Sequence, residues 1–121
     1  MHIHESAENY LEAILALSKE GPVRSIDVAQ YLGFSKPSVS RAMSLLRENG
    51  YVAVDDTGHL VLTDAGQQIA ASIYERHTLL TQWLVRLGVP EEIAAEDACK
   101  IEHDLSPETF EAIKRHVDTL S

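Results

Sequence analysis

Cysteine is almost missing: Cys99 is the only one in 121 residues. One thiol excludes an intrachain disulfide and leads us to expect a reducing, cytoplasmic setting. Long apolar runs are missing as well. No stretch is long enough to cross a bilayer, and the opening MHIHESAENY does not read as a signal peptide, so no membrane partner is expected. The chain has no Gly-rich phosphate loop and no Ser-His-Asp pattern. It also has no internal repeat and no low-complexity segment. Basic residues are scarce, 10 against 19 acidic ones, and the formal net charge is −9.

That charge argues against nucleic acid until its distribution is considered. Residues 1–54 hold five basic and six acidic groups, whereas residues 55–121 hold five and thirteen. The first half is therefore nearly neutral, with clustered cations. The acid excess of the second half suits cation binding or plain solubility. With 45% hydrophobic and 24% charged residues, the composition is that of a globular chain, as one domain or two small lobes.

Apolar residues at Tyr10, Leu11, Ile14, Leu15 and Leu17 have helical spacing, and Gly21-Pro22 ends that helix. SIDVAQYLG predicts a short second helix from Ser25, with Ile26, Val28, Ala29 and Leu32 inward and Gly33 as its stop. Ser35 is placed to cap a third helix in which Val39, Met43, Leu45 and Leu46 pack and which Gly50 ends. Pro37 is tolerated there because it falls in the first turn. YVAVDDTGHLVLT predicts a β-hairpin around Asp-Asp-Thr-Gly. A long helix from about Thr63 to Leu87 follows, then one from about Glu91 to His103, then one from Ser106-Pro107 nearly to the end.

Three helices and a hairpin in this order make a winged helix-turn-helix. Its third helix enters the major groove N-terminus first. The residues it offers are Ser35, Lys36, Pro37, Ser38, Ser40 and Arg41. Small hydroxyls permit close approach, Lys36 and Arg41 can neutralise phosphate, and Arg41 can pair with a guanine edge. The bland alternative is that Ser35 is only a cap. In the hairpin tip Asp55 and Asp56 repel phosphate, which leaves a turn role for the tip and only His59 as a phosphate candidate.

In CKIEHDLS, Cys99, Glu102 and His103 stand at i, i+3 and i+4, one face of a helix. His77 lies on the long helix, and Glu12, with Asn9 three residues before it, lies on the first. Each has an ordinary reading by itself, Cys99 as a small buried hydrophobe and Glu12 as a solvated position. Together, thiolate, imidazole and carboxylate suit Fe(II), Mn(II), Co(II), Ni(II) or Zn(II) rather than Mg(II) or Ca(II).

These segments resemble the diphtheria-toxin-repressor and manganese-transport-regulator family of metal-dependent repressors. SAENYLEAILAL, DVAQYLGFSKPSVSRAMSLLRENGYV, GHLVLTDAGQQIA, YERHTLLTQWLVRLGV and EDACKIEHDLS carry the resemblance over nearly the whole chain. It implies a homodimer in which a winged helix reads a palindromic double-stranded operator, C-terminal helices dimerise, and a divalent metal sits between the two parts. Position by position, Glu12 matches the manganese type, Cys99 the iron type, and His77, Glu102 and His103 both. Asn9 departs from the Asp of one type and the Met of the other and is the weakest donor. Thr81 and Ala95 stand where iron-type members place an ancillary carboxylate and histidine, so that ancillary site is expected to be absent or rebuilt.

The expected architecture is mainly α, with a winged helix-turn-helix at residues 1–62, a helical metal-binding and dimerisation lobe at 63–121, and no SH3-like domain. Dimerisation is expected to draw on Leu79, Leu80, Trp83, Leu84, Ile101, Leu105, Phe110, Ile113 and Val117, more apolar surface than one small lobe buries. The expected function is repression gated by Fe(II) or Mn(II), with Co(II), Ni(II) or Zn(II) as substitutes, and no enzyme activity. The competing reading is a winged-helix regulator that takes an organic ligand or senses through its thiol. A metalloenzyme is a third, with no general base beside an open pocket to support it.

Overall fold

In the computed structural model, residues 5–120 are described. The chain runs through α1 (Glu5–Ser18), α2 (Ser25–Leu32), α3 (Lys36–Glu48), β1 (Val52–Val54), β2 (Leu60–Leu62), α4 (Asp64–Arg86), α5 (Glu91–Ile101) and α6 (Pro107–Thr119). This is the expected mainly α fold with a winged helix-turn-helix first and helices after it. The chain divides into two compact units, residues 1–71 and 72–121. Residues 1–4 and 121 of the two expected domains lie outside the described residues.

In the first unit, α1 buries Tyr10, Leu11, Ala13 and Ile14 on one stripe, and Leu11 and Ile14 are completely enclosed. Val28 and Ala29 from α2, and Val39, Met43 and Leu46 from α3, close the same core. Two inward expectations are corrected. Ile26 is 39% exposed and Leu45 is 59% exposed. Ile26 stands two positions from buried Val28 and Leu45 two from buried Met43, so each is turned about 200° from that inward neighbour. α3 also stops at Glu48 with Asn49 as its cap, ahead of Gly50.

Gly33 takes the left-handed conformation (φ 73) that ends α2, and its N–H bonds to Ala29 O at 2.9 Å. β1 and β2 pair antiparallel with Val54 opposite Leu60. Val23 adds a bridge to Leu60, whose N–H donates to Val23 O at 2.7 Å, a third edge that hydrophobic spacing did not reveal. At the start of α4, Gly66 lies against the hairpin's entry. A Cβ there would stand 2.1 Å from Tyr51 O, so only glycine fits.

The second unit buries Ile73, Leu80, Ala94, Ala98, Phe110 and Val117. Of the apolar set expected at a dimer interface, Leu80, Phe110 and Val117 are buried within this unit, while Leu79, Trp83, Leu84, Ile101, Leu105 and Ile113 are half-buried. Val85, Leu87 and Ile93 are exposed. No helix among the described residues is long and apolar enough to cross a membrane.

Candidate functional site

The residues expected to read DNA stand at the start of α3. Ser35 has extended backbone and its hydroxyl accepts from Ser38 N–H at 3.3 Å, so it is a true cap. The Ser35 hydroxyl donates to Ser38 Oγ at 2.9 Å, and Arg41 Nη2 donates to the same oxygen at 3.4 Å. Ser35, Ser38 and Arg41 therefore form a ladder at three-residue spacing. Ser35, Lys36, Pro37, Ser40 and Arg41 are exposed and Ser38 is half-buried. The buried face of the helix is Val39, Met43 and Leu46, which leaves these polar groups outward.

The hairpin tip is tied to itself. Asp55 Oδ1 accepts from His59 N–H, Thr57 N–H and the Thr57 hydroxyl at 2.8–2.9 Å. The amide of His59 first, then the Thr57 hydroxyl, hold the Asp55 carboxyl below its ordinary pKa. His59 Nδ1 lies 2.6 Å from Thr57 Oγ1, so that nitrogen is engaged within the tip.

The metal-type donors of the second unit come from α4 and from the end of α5. The helix stops at Ile101, two residues short of the expected His103, with Glu102 as its cap (φ −57, ψ −28) and His103 in the following turn. Because Glu102 keeps helical dihedrals, it still shares a side with Cys99 one turn back. His77, Cys99 and Glu102 each offer a donor atom, and these atoms lie within 4.8 Å of one another. His77 Nδ1 is 2.9 Å from Glu102 Oε2 and 3.7 Å from Cys99 Sγ. His103 Nε2 lies 3.4 Å from Glu102 Oε1, and its side chain is 2% exposed.

Two donors bound to one ion at about 2.0–2.3 Å lie about 3.3–3.7 Å apart in tetrahedral geometry. The sulfur-to-nitrogen distance already has that size, and the nitrogen-to-carboxylate pair is drawn in to hydrogen-bonding length. The residues present thus fit a divalent transition metal. Glu102 is wholly buried, and a carboxylate so enclosed is stable only with cationic or hydrogen-bonding partners.

Asn9 and Glu12 are half-buried on α1, in the first unit. Thr81 uses its hydroxyl on His77 O at 2.7 Å, and Ala95 offers no donor atom. One residue of this region escaped the sequence analysis. Arg76 Nη1 donates to Glu102 O at 3.0 Å and to Leu105 O at 2.7 Å. Its neighbour His77 was visible as a ligand type, whereas a cation that binds carbonyls leaves no pattern in sequence.

Residues 2–60 match the family described as iron dependent repressor, N-terminal DNA binding domain. Residues 63–121 match the iron dependent repressor metal binding and dimerisation domain. The chain belongs to the iron-dependent repressor family. The transcriptional regulator MntR of Escherichia coli O6:H1 (strain CFT073) is 35% identical over 114 residues, spanning 93% of this chain and 74% of that protein. An uncharacterised HTH-type transcriptional regulator of Methanocaldococcus jannaschii, MJ0568, is 34% identical over 113 residues, 91% of this chain and 90% of its own. Among solved structures, the manganese regulator SloR superposes with a TM-score of 0.83 at 27% identity, covering 98% of this chain. The chain spans 55% of the SloR chain, about half the length of that solved relative. The family is one of DNA-binding, metal-dependent transcriptional regulators and not of enzymes.

Proposed function

We propose that this protein is a repressor that binds a palindromic double-stranded operator as a homodimer when its metal centre is filled. The cluster of His77, Cys99 and Glu102 carries this proposal, together with the match of residues 63–121 to a metal-binding and dimerisation domain. Residues 1–62 would read DNA and residues 63–121 would bind metal and dimerise. The setting would be the cytoplasm, in keeping with a single cysteine, Cys99, that is exposed and in no disulfide.

His77, Cys99, Glu102 and His103 would hold Fe(II) or Mn(II), with Glu12 joining from α1 and Asn9 as a weaker donor. Co(II), Ni(II) or Zn(II) would substitute. The thiolate favours iron over hard Mn(II), whereas Glu12 and the lack of donors at Thr81 and Ala95 favour manganese. When bound, the ion supplies positive charge that offsets the thiolate and carboxylates.

The rest of the mechanism belongs to the chain. Glu102 and Cys99 would draw α5 towards His77 of α4, and the family resemblance implies that Glu12 would bring α1 to the same centre. With α1 committed, the two recognition helices of a dimer keep a separation near one helical turn of DNA or a multiple of it. Ser35 and the N-terminus of α3 hold a backbone phosphate, Lys36 neutralises another, and Arg41 addresses a guanine edge. A coupling of about 1–3 kcal/mol between metal and operator would be typical.

Titration of the reduced, anaerobic protein with Co(II), for the wild type and Cys99→Ser, tests the centre. An intense thiolate-to-cobalt band that the variant lacks supports an iron-leaning site. Cobalt binding without the band points to an oxygen-and-nitrogen site of the manganese kind. Operator binding that is equal with and without chelator would instead favour a winged-helix regulator served by an organic ligand or by the thiol.

A further inference from the structure

We infer that Arg76 is a positioning residue of the metal centre, holding the turn that carries Glu102 and His103. The inference deepens the proposed metal centre and rests on it. α5 ends at Ile101, and the carbonyls beyond a helix end need donors from elsewhere. Backbone amides serve some of this turn, since Glu102 N–H reaches Ala98 O at 2.9 Å and Asp104 N–H reaches Ile101 O at 2.9 Å. Two later carbonyls, Glu102 O and Leu105 O, are served by one nitrogen of Arg76, at 3.0 and 2.7 Å. A cation is the favoured donor at a helix C-terminus, where partial negative charge collects.

The same guanidinium lies 5.2 Å from the centre of the Phe110 ring, which is buried in α6. Charge over an aromatic face is attractive, and the contact limits the freedom of Arg76 itself. One side chain of α4 thus fastens both ends of the α5–α6 turn and the first part of α6. Arg76 and His77 are consecutive on α4, so clamp and ligand share one rigid element. Glu102 is held at its backbone by Arg76 and at its carboxylate by His77 and His103.

Losing the clamp leaves Glu102 free to turn about the end of α5, while the donor types stay in place. Groups that orient metal ligands in this way commonly matter about 10–100-fold in affinity. The reduced 121-residue chain would be titrated with Co(II) alone, following the visible cobalt bands, as wild type, Arg76→Ala, Arg76→Gln and Val117→Ala. Val117 is buried in the same unit, and its truncation serves as a stability control.

Arg76→Ala should lose about 10–100-fold in cobalt affinity and alter the band envelope. Val117→Ala should melt earlier yet keep wild-type affinity and bands. If Arg76→Ala does not fold, Arg76→Gln, which keeps the apolar stem and one amide donor, decides: weakened binding by the folded variant supports the role, and wild-type affinity overturns it. Wild-type affinity and bands in folded Arg76→Ala, or an equal loss in Val117→Ala, would reduce Arg76 to a structural residue. A wild type that binds no cobalt would instead remove the metal centre itself.

Discussion

The two units solve the problem of a small core differently. The first closes an apolar cluster around Leu11, Ile14, Val28 and Val39, with polar groups at caps and turns. The second encloses Ala94, Ala98 and Leu80 and, with them, the carboxylate of Glu102. An apolar core gains from every group buried, about 25 cal/mol per Å². A buried carboxylate costs free energy unless it is partnered. The first unit is therefore finished as a rigid platform for α3. The second keeps a polar centre whose balance depends on His77, His103 and, in the proposed holo state, an ion. Stability in one and responsiveness in the other are what a switch requires.

The comparison breaks most sharply at Glu102. Glu102→Ala should lose metal-dependent operator binding altogether, read as DNA affinity with and without added metal. Unchanged metal dependence would mean that the buried carboxylate is only structural. In the platform, the largest effect should come from Gly66→Ala, whose methyl meets Tyr51 O. Overpacking of this kind costs about 1–3 kcal/mol, and urea unfolding should show at least that much. Cobalt affinity of the variant that remains folded should be unaltered; a parallel loss would couple the two units more tightly than proposed.

Arg41→Ala should cost about 1–3 kcal/mol in operator binding and relax preference at one base position, while Lys36→Ala should weaken all sequences alike and lower the salt slope by about 1. Equal losses for specific and random DNA in Arg41→Ala would place Arg41 on phosphate only. Ser35→Ala removes the cap of α3, worth about 1 kcal/mol in thermal stability. The smallest effect belongs to Asp55. Its carboxyl titrates below its ordinary value because the His59 amide and Thr57 bond the charged form. A lowered folded pKa stabilises above the ordinary carboxylate range and is lost as pH falls through the lowered value. Resonances of the wild-type tip should therefore titrate below the ordinary carboxylate range, and Asp55→Asn should abolish that titration without affecting operator binding at neutral pH.

Much of this was legible along the chain. Spacing at Tyr10, Leu11 and Ile14, the cap at Ser35 and the stop at Gly33 place the helices of the reader, because each follows from local geometry or from a 3.6-residue period. Donor types at His77, Cys99, Glu102 and His103 were equally legible, since ligand chemistry resides in single side chains. Periodicity misled at Ile26 and Leu45, where apolar character did not mean burial, and it could not show the Val23–Leu60 bridge, which joins residues far apart in sequence.

What the sequence by itself determined is therefore the order of elements, the cap-and-turn chemistry of α3 and the hairpin, and the inventory of metal-type donors. Only the tertiary structure decided which donors converge: His77 meets Cys99 and Glu102 across 22 and 25 residues. It also decided that α5 stops before His103, that Gly66 must be glycine, and that Arg76 serves two carbonyls. The physical reason is common to all of these. Local preference depends on a few neighbouring residues, whereas convergence depends on which faces pack and on where a buried polar group can find its partner.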